Sequence, residues 1–283
     1  MESIKCILCD SDDNFTSTIT VLDRFSPSEK YTIQKCKCGM VLLNPRPDSK
    51  EVHKHYEKSD YDPQSRNSSL LSFFYGAAQI INNRNKRGLI YKYFKKGSLL
   101  DYGGGDGQFQ AYMSKNYWDV DIYEPYLKHD SISEDLQDKT RNKYYDVVTM
   151  FHSLEHIHDI HNSLQNVKKV MKDQGILVIA VPNYDAYEKP FFKEDWIAYD
   201  APRHLYHFDS NSIDRLLKKN GFELKESYPM YLDTFYNIIM STNNKFRSIM
   251  KIIYLNFITF YNIYKDNKRA SSMMLIYQKN EKI

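Results

Sequence analysis

The chain has few of the features that would place it at once. Only four of its 283 residues are cysteine, and none lies beyond residue 38. That excludes a disulfide framework spread through the fold and suits a compartment where thiols stay reduced. Net charge is small, +3 from 39 basic and 36 acidic side chains. The basic pairs Lys95-Lys96, Lys168-Lys169 and Lys218-Lys219 are scattered as solvated faces are, so no electrostatic footprint for nucleic acid is present. No apolar run approaches the ~20 residues of a membrane span. The longest clean run, Gly175 to Val181, is the length of a strand. Met1 to Lys5 runs directly into a cysteine pair, which is not the form of a signal peptide, so the expected location is cytoplasmic. Aromatic residues, by contrast, are abundant, with 24 Tyr and 15 Phe. They read partly as composition bias and partly as walls for a planar or sugar-like ligand.

A chain of this length is expected to hold one domain plus an accessory segment. Its organising stretch is Ser98 to Phe109. A short apolar run ends in Asp101, glycines fall at 103, 105 and 107, and a helical pattern then begins. This is a strand entering a helix through a loop almost without side chains. Glycine is needed there because the backbone turns tightly, partly at positive φ, and lets a ligand approach closely. Gln108 stands where the last glycine of G-x-G-x-x-G would fall, and no Gly-Lys-Ser/Thr follows. Neither the dinucleotide fingerprint nor a phosphate-cradling P-loop is therefore supported. Val120 to Tyr123 reads as the second strand, closed by Glu124. A carboxylate at that position can accept hydrogen bonds from both hydroxyls of a ribose.

The stretch from Tyr126 to Lys143 is short and polar. It leaves little room for a full helix and third strand, although Asp130 or Ser131 could face an adenine amino group. Tyr144 to Phe151 reads as a buried strand followed by His152-Ser153-Leu154-Glu155-His156. Ligands in open α/β sheets sit beyond the carboxyl ends of strands, so Phe151 and His152 should border the reacting centre. The His-x-x-Glu-His spelling also matches an inverted metalloprotease motif. It is rejected because that site needs both histidines on a helix, and here the motif starts at the end of a hydrophobic strand. Leu164, Val167, Val170 and Met171 mark the apolar face of a helix, and Gly175 to Val181 is a central strand. Residues 185–208 are rich in aromatic and polar groups, from Phe191, Phe192, Trp196 and Tyr199 to Arg203, His204 and His207. They are expected to form a lid or substrate wall. A helix over 212–220 stops at Gly221, strand Phe222 to Tyr228 follows, and Ser271 to Gln278 is the last strand. Phe246 to Tyr264 is expected to be a packed or homodimer-forming helix, with an interfacial membrane helix as the lesser option.

The N-terminal region has its own chemistry. Cys6-x-x-Cys9 and Cys36-x-Cys38, the latter followed by Gly39, suggest a four-thiolate zinc site built from two tight turns. The single residue inside the second pair departs from the commoner spacing, and His53 or His55 could replace one ligand. All ligands come from protein, so the role is structural. A segment this small lacks its own core, so the ion would supply the fold. Asn44 to Asp48 forms a stiff turn and Glu51 to Tyr56 a short helix. Leu70, Leu71, Phe73, Phe74, Ile80 and Ile81 belong to a helical connector that packs on the main domain. The expected division is 1–47 zinc-binding module, 48–96 connector, and 97–283 main domain with its lid at 185–208.

Asp101 ahead of Gly103-x-Gly105-x-Gly107 resembles the first motif of the class I S-adenosylmethionine-dependent methyltransferases. Asp146-Val147-Val148 followed by Leu154-Glu155-His156-Ile157 resembles their fourth. Ala201 to Phe208, with the helix and Gly221-Phe222 that follow, is similar to the same family. The cysteine pairs, Asn44-Pro45-Arg46-Pro47 and spaced tyrosines resemble the zinc-bearing N-terminal module of some bacterial methyltransferases. The resemblance implies an α/β, doubly wound, Rossmann-like sheet of seven mostly parallel strands. It implies S-adenosylmethionine held by Asp101, Gly103, Gly105, Gly107, Glu124 and Phe151, and Zn held by Cys6, Cys9, Cys36 and Cys38. The acceptor it implies is a small molecule or sugar in glycan or secondary-metabolite assembly. O-methylation is favoured, though zinc-bearing relatives include sugar C-methyltransferases.

A hydroxyl acceptor needs a base, and histidine suits by its pKa of about 6.5. His152, His204 and His207 are the candidates, each with a structural role as its alternative. In relatives resembling quinone O-methyltransferases a metal sits near the fourth motif. Here it would require His152, Glu155 and His156, and a helix start with a packed His156 is preferred. Two other functions remain. An RNA methyltransferase gripping its substrate through the zinc module is opposed by the low charge. A non-catalytic binding protein on a worn scaffold is opposed by the intact Asp101, glycine loop and Glu124.

Overall fold

The computed structural model describes residues 1–56, 69–124, 136, 143–242 and 248–280, except for the side chains of 69–78 and 248. The chain forms two compact units. The first comprises Met1–Tyr61, Val181–Lys219 and Ser227–Met274; the second comprises Asp62–Ala180, Asn220–Glu226 and Leu275–Ile283. This grouping differs from the expected division at 47 and 96, because the segments after Ala180 are shared between the units. In chain order the strands are β1 (Phe15–Asp23), β2 (Ser26–Cys36), β3 (Val41–Leu43), β4 (Ser98–Tyr102), β5 (Asp119–Tyr123), β6 (Tyr145–Phe151), β7 (Met171–Pro182), β8 (Tyr206–His207), β9 (Phe222–Pro229) and β10 (Ser272–Lys279).

The second unit is built on a sheet of order β5-β4-β6-β7-β10-β9. The pairs β4–β5, β4–β6 and β6–β7 are parallel. The first strand of this sheet, β4, therefore has β5 on one side and β6 on the other. The winding reverses there, which creates the crevice where such sheets receive ligands. Val147, Val148 and Met150 of β6 and Ile176 to Val181 of β7 are buried, as strands covered on both faces must be. Helix Ile160–Val170 starts at Asp159, whose side chain accepts from Asn162 N, and buries Ile160, Leu164, Val167 and Val170. Met171, expected on that helix face, is instead the first residue of β7 and is buried.

The sheet has six strands among the described residues, not the seven expected. Asp130 and Ser131 lie outside those residues, as do the side chains of Leu70, Leu71, Phe73 and Phe74. Ile80 and Ile81 of helix Ser69–Ile90 are exposed, contrary to their expected packing role.

The first unit is not the coreless knuckle expected from residues 1–47 alone. β1 and β2 form an antiparallel hairpin, β3 pairs antiparallel with β2, and β8 completes the sheet through Val41↔His207 and Leu42↔Tyr206. Val21, Tyr31, Ile33 and Leu43 pack with Phe192, Trp196, Tyr199 and Ile238 in one core. Burial of each such large side chain contributes about 1.5–3 kcal/mol. Most aromatic side chains of the 185–208 segment, expected to form a lid or substrate wall, are interior to this unit, while Phe191 is exposed. Trp196, Arg203, Tyr206 and Phe208 are almost fully buried, because a four-stranded sheet with one wide hairpin needs a second layer.

Candidate functional site

Asp101 lies in the buried part of β4 and is 2% exposed. Thr149 of the adjacent β6 donates its hydroxyl to Asp101 Oδ1 at 2.6 Å. Burial pushes the Asp101 carboxyl up to about 6, against the Thr149 hydrogen bond and the Lys86 ammonium, while Glu124 adds to the rise. A buried carboxylate of this kind is stabilised by any cation brought to the adjoining loop.

The loop that follows is shaped by two glycines. Gly103 has φ +74°, and a Cβ there would overlap Ser153 Cβ. Ser153 is held in place, since its Oγ donates to Tyr102 O at 3.0 Å. Gly105 has φ +55°, and a Cβ there would meet no atom within 4 Å. One glycine is needed for packing; the other borders open space. Gly107 then serves as N-cap of helix Gln108–Ser114. Glu124, at the end of β5, is buried and accepts from Gly105 N at 3.0 Å. Gly103 N donates to Tyr123 O at 2.7 Å. These bonds bring the glycine loop and the end of β5 together.

At the end of β6, the rings of Phe151 and Phe109 meet edge to face with centroids 5.0 Å apart. Lys86 Nζ lies 4.0 Å from the Phe151 centroid and 5.7 Å from that of Phe109. Lys86 is buried and the sequence reading missed it. It stands in the run Arg84-Asn85-Lys86-Arg87, which reads as a solvated helix face, and no local signal distinguishes it. His152, the residue after β6, has φ +51° and donates its backbone N–H to Ala180 O at 2.8 Å. Its Nδ1 is 3.5 Å from Glu155 Oε1, and Glu155 is fully buried. Asp101, the three glycines, Glu124, Phe151 and His152 therefore all belong to the second unit and lie at the carboxyl ends of β4, β5 and β6.

His204 and His207 belong to the first unit. His204 Nδ1 is 2.9 Å from Ala198 O and its Nε2 is 3.9 Å from Asp200 Oδ2. His207 is buried beside Tyr184 and Tyr199, with ring centroids 6.2 and 5.8 Å away. The same unit holds a buried ion network that the sequence did not reveal. Arg203 donates to Asp23 Oδ1 and to Asp200 Oδ1, the shortest distances being 3.1 and 2.8 Å. Burial alone would raise Asp200, but His204, Arg24 and Arg203 outweigh it and hold the carboxyl at about 2. Nearby in sequence, burial pushes the Lys189 ammonium down to about 8, and its Nζ stands 3.2 Å from the Tyr184 ring centroid.

The four cysteines converge. Cys6 and Cys38 Sγ are 3.4 Å apart, Cys9 and Cys36 Sγ are 3.5 Å apart, and all four sulfurs lie within 4.8 Å of one another. A tetrahedral ion with Zn–S of about 2.3 Å sets sulfurs roughly 3.8 Å apart, which falls inside that spread. Burial pushes the Cys6 and Cys36 thiols up, so thiolates there require a compensating cation. Arg215 donates to Cys38 O, and Lys219 to Ile7 O and Leu8 O. Helix Ser210–Lys219 thereby braces both turns. His55, weighed as a replacement ligand, instead places its Nδ1 3.3 Å from Asp23 Oδ2.

Residues 76–227 match a family described as a methyltransferase domain. No curated protein matches the chain. Among solved structures, a SAM-dependent methyltransferase from Archaeoglobus fulgidus is 20% identical, with 71% of this chain and 94% of that chain covered and a TM-score of 0.46. The 1,6-didemethyltoxoflavin-N1-methyltransferase of Burkholderia thailandensis, with bound S-adenosylhomocysteine, is 12% identical, with 86% and 96% covered and a TM-score of 0.49. Mitomycin 7-O-methyltransferase MmcR is 12% identical, with 76% and 62% covered and a TM-score of 0.42. The assignment rests on the family match, which spans more than half of the sequence and includes Lys86, the glycine loop, Glu124 and His152. The chain belongs to the methyltransferase domain family of enzymes.

Proposed function

We propose that the chain transfers a methyl group from S-adenosylmethionine to a small-molecule or sugar acceptor. The observation that carries this reading is the coupling of Gly105 to Glu124: an open glycine bend hydrogen-bonded to a carboxylate at the end of the neighbouring parallel strand. A carboxylate offers about four lone-pair positions, and the loop N–H uses one. Glu124 is therefore suited to accept from the ribose hydroxyls while it holds the loop in shape. Asp101 supplies negative charge beneath the loop, and Phe151 and Phe109 supply an apolar wall. Lys86, over those rings, is suited to a carboxylate.

When bound, the cofactor supplies an activated methyl on a sulfonium, and the protein contributes alignment and exclusion of water. His152 is the candidate base within the second unit; His204 and His207 are the candidates in the first. O-methylation is the favoured outcome for a hydroxyl acceptor, because a histidine can take its proton near neutral pH. The cysteine cluster is proposed to hold structural zinc, and reduced thiolates of that kind fit a cytoplasmic setting. No helix among the described residues is long and apolar enough to cross a membrane.

The test is titration calorimetry of the full chain with S-adenosylhomocysteine, followed by single-turnover methyl transfer to a panel of hydroxylated acceptors. Saturable one-to-one binding is expected. Absence of binding at millimolar ligand would sink the reading and favour a scaffold without catalysis. Salt-dependent methylation of RNA would favour the nucleic-acid reading.

A further inference from the structure

We propose that the chain forms a two-fold dimer through the outer face of helix Ser248–Lys265. The proposal does not depend on the cofactor reading. This helix buries Leu255, Asn256, Thr259 and Ile263, and Ile252 packs against the core of the first unit. Its other side carries Met250, Tyr254, Phe257, Tyr261 and Tyr264, each between 52% and 85% exposed. Their spacing alternates four, three, four and three residues, the 3.5-residue period that keeps a seam facing a partner helix. At about 100° per residue, all five lie within roughly 60° of Phe257 around the axis. Exposed Ile253 lies beside them.

A helix facing water carries charged residues on this side. Here the only charged residues of the helix are Lys251 and Lys265. Both lie over rings, Lys251 over Phe192 and Lys265 over Tyr261. The area is also of interface size. With roughly 150–250 Å² for a whole aromatic side chain, the four seam aromatics present about 400–700 Å². Met250 and Ile253 add to this. So does the neighbouring helix Tyr231–Met240, where Tyr231 and Phe235 are exposed and Tyr231 meets Phe260 edge-on at 5.6 Å. A standard interface takes about 800 Å² per partner, and few monomers leave so large an apolar patch bare.

A second copy is the occupant because the seam is complementary to itself. Antiparallel pairing about Phe257 sets that residue against its counterpart, Tyr254 against Tyr261, and Met250 against Tyr264. The Phe257 contact then lies on the axis and each of the others is made twice, as two-fold symmetry requires. A membrane surface is disfavoured, because an interfacial helix needs a strongly basic polar face. The reverse side of this helix is buried instead.

Sedimentation velocity of the full chain at micromolar concentration, under reducing conditions, is expected to give twice 33.6 kDa. Phe257→Asp should give monomer with an unchanged far-UV spectrum, the dissociation constant rising about a hundredfold or more, as for a central apolar anchor. Tyr117→Asp, at an exposed turn of the second unit, should leave the dimer intact. If Phe257→Asp does not fold, Phe257→Cys takes its place, and mild oxidation should yield a covalent dimer that the wild type does not form. A wild-type mass of 33.6 kDa would overturn the proposal, and binding of that monomer to phosphatidylserine vesicles would point to a lipid surface instead. A dimer unaffected by Phe257→Asp, or a Phe257→Cys chain that fails to cross-link, would also overturn it.

Discussion

Gly103→Ala and Gly105→Ala separate the two demands placed on the glycine loop. Both positions have left-handed φ, +74° and +55°, where a Cβ costs about 1–2 kcal/mol. At Gly103 the new methyl would also lie closer than 3.0 Å to Ser153 Cβ. Ser153 cannot easily yield, because its hydroxyl donates to Tyr102 O. Overpacking adds about 1–3 kcal/mol, so Gly103→Ala should destabilise by roughly 2–5 kcal/mol, and Gly105→Ala by the smaller strain term alone. Against a total stability of about 5–15 kcal/mol, the first change is severe and the second tolerable.

Ligand affinity should show the reverse sensitivity. The Gly105 methyl projects into space that no protein atom fills within 4 Å. If the cofactor passes there, a clash of about 1–3 kcal/mol weakens S-adenosylhomocysteine roughly 5- to 150-fold. Urea denaturation measures the first quantity and titration calorimetry the second. Gly105→Ala binding within about twofold of wild type, a difference below 0.5 kcal/mol, would refute the placement of the ligand at this bend. Equal destabilisation by the two variants would refute the role assigned to Ser153.

Two further outcomes are expected. Asp200 titrates near 2 in the folded chain, below its unfolded value of about 3.9. Its stabilisation is therefore present above pH ~4 and lost as pH falls from 4 towards 2, worth roughly 2 kcal/mol. Asp200→Asn should flatten the decline of the urea midpoint over that window, and an unchanged slope would exclude Asp200, with its partners His204, Arg24 and Arg203, as its source. Elemental analysis should find one zinc per chain, lost in Cys6→Ser. Because the first unit has its own hydrophobic core, zinc removal should lower Tm by about 5–10 °C, for a loss of a few kcal/mol, rather than unfold the chain. Full zinc occupancy in Cys6→Ser, or complete unfolding on chelation, would contradict this.

The parts of the fold that were legible in the sequence are those set by local rules. Asp101 and the glycines mark the β4 turn because a tight bend at positive φ restricts side chains within a few residues. Val147 to Phe151 and Ile176 to Val181 announce central strands by unbroken hydrophobicity, and Asn220-Gly221 ends a helix by backbone preference. Other features depend on partners far apart in the chain. Aromatic composition alone does not say whether Trp196, Tyr199 and Phe208 are buried, because it looks the same in a wall and in a core. Only the pairing of β3 with β8, across more than 160 residues, turns them inward.

Arg203 is a similar case. In the sequence it is one charge in an aromatic stretch; in the fold it is buried between Asp23 and Asp200. Lys86 looks like a helix surface until the rings of Phe109 and Phe151 are folded against it.

Short-range spacing, backbone preference and hydrophobic runs encode the cysteine pairs, the glycine bend, the strand-end position of Glu124 and the main strands. The tertiary structure alone decided which aromatics face inward, which charges are buried together and which side of the tail helix is left apolar and exposed. Those properties depend on desolvation by segments distant in the chain, and no local pattern records which segment will arrive.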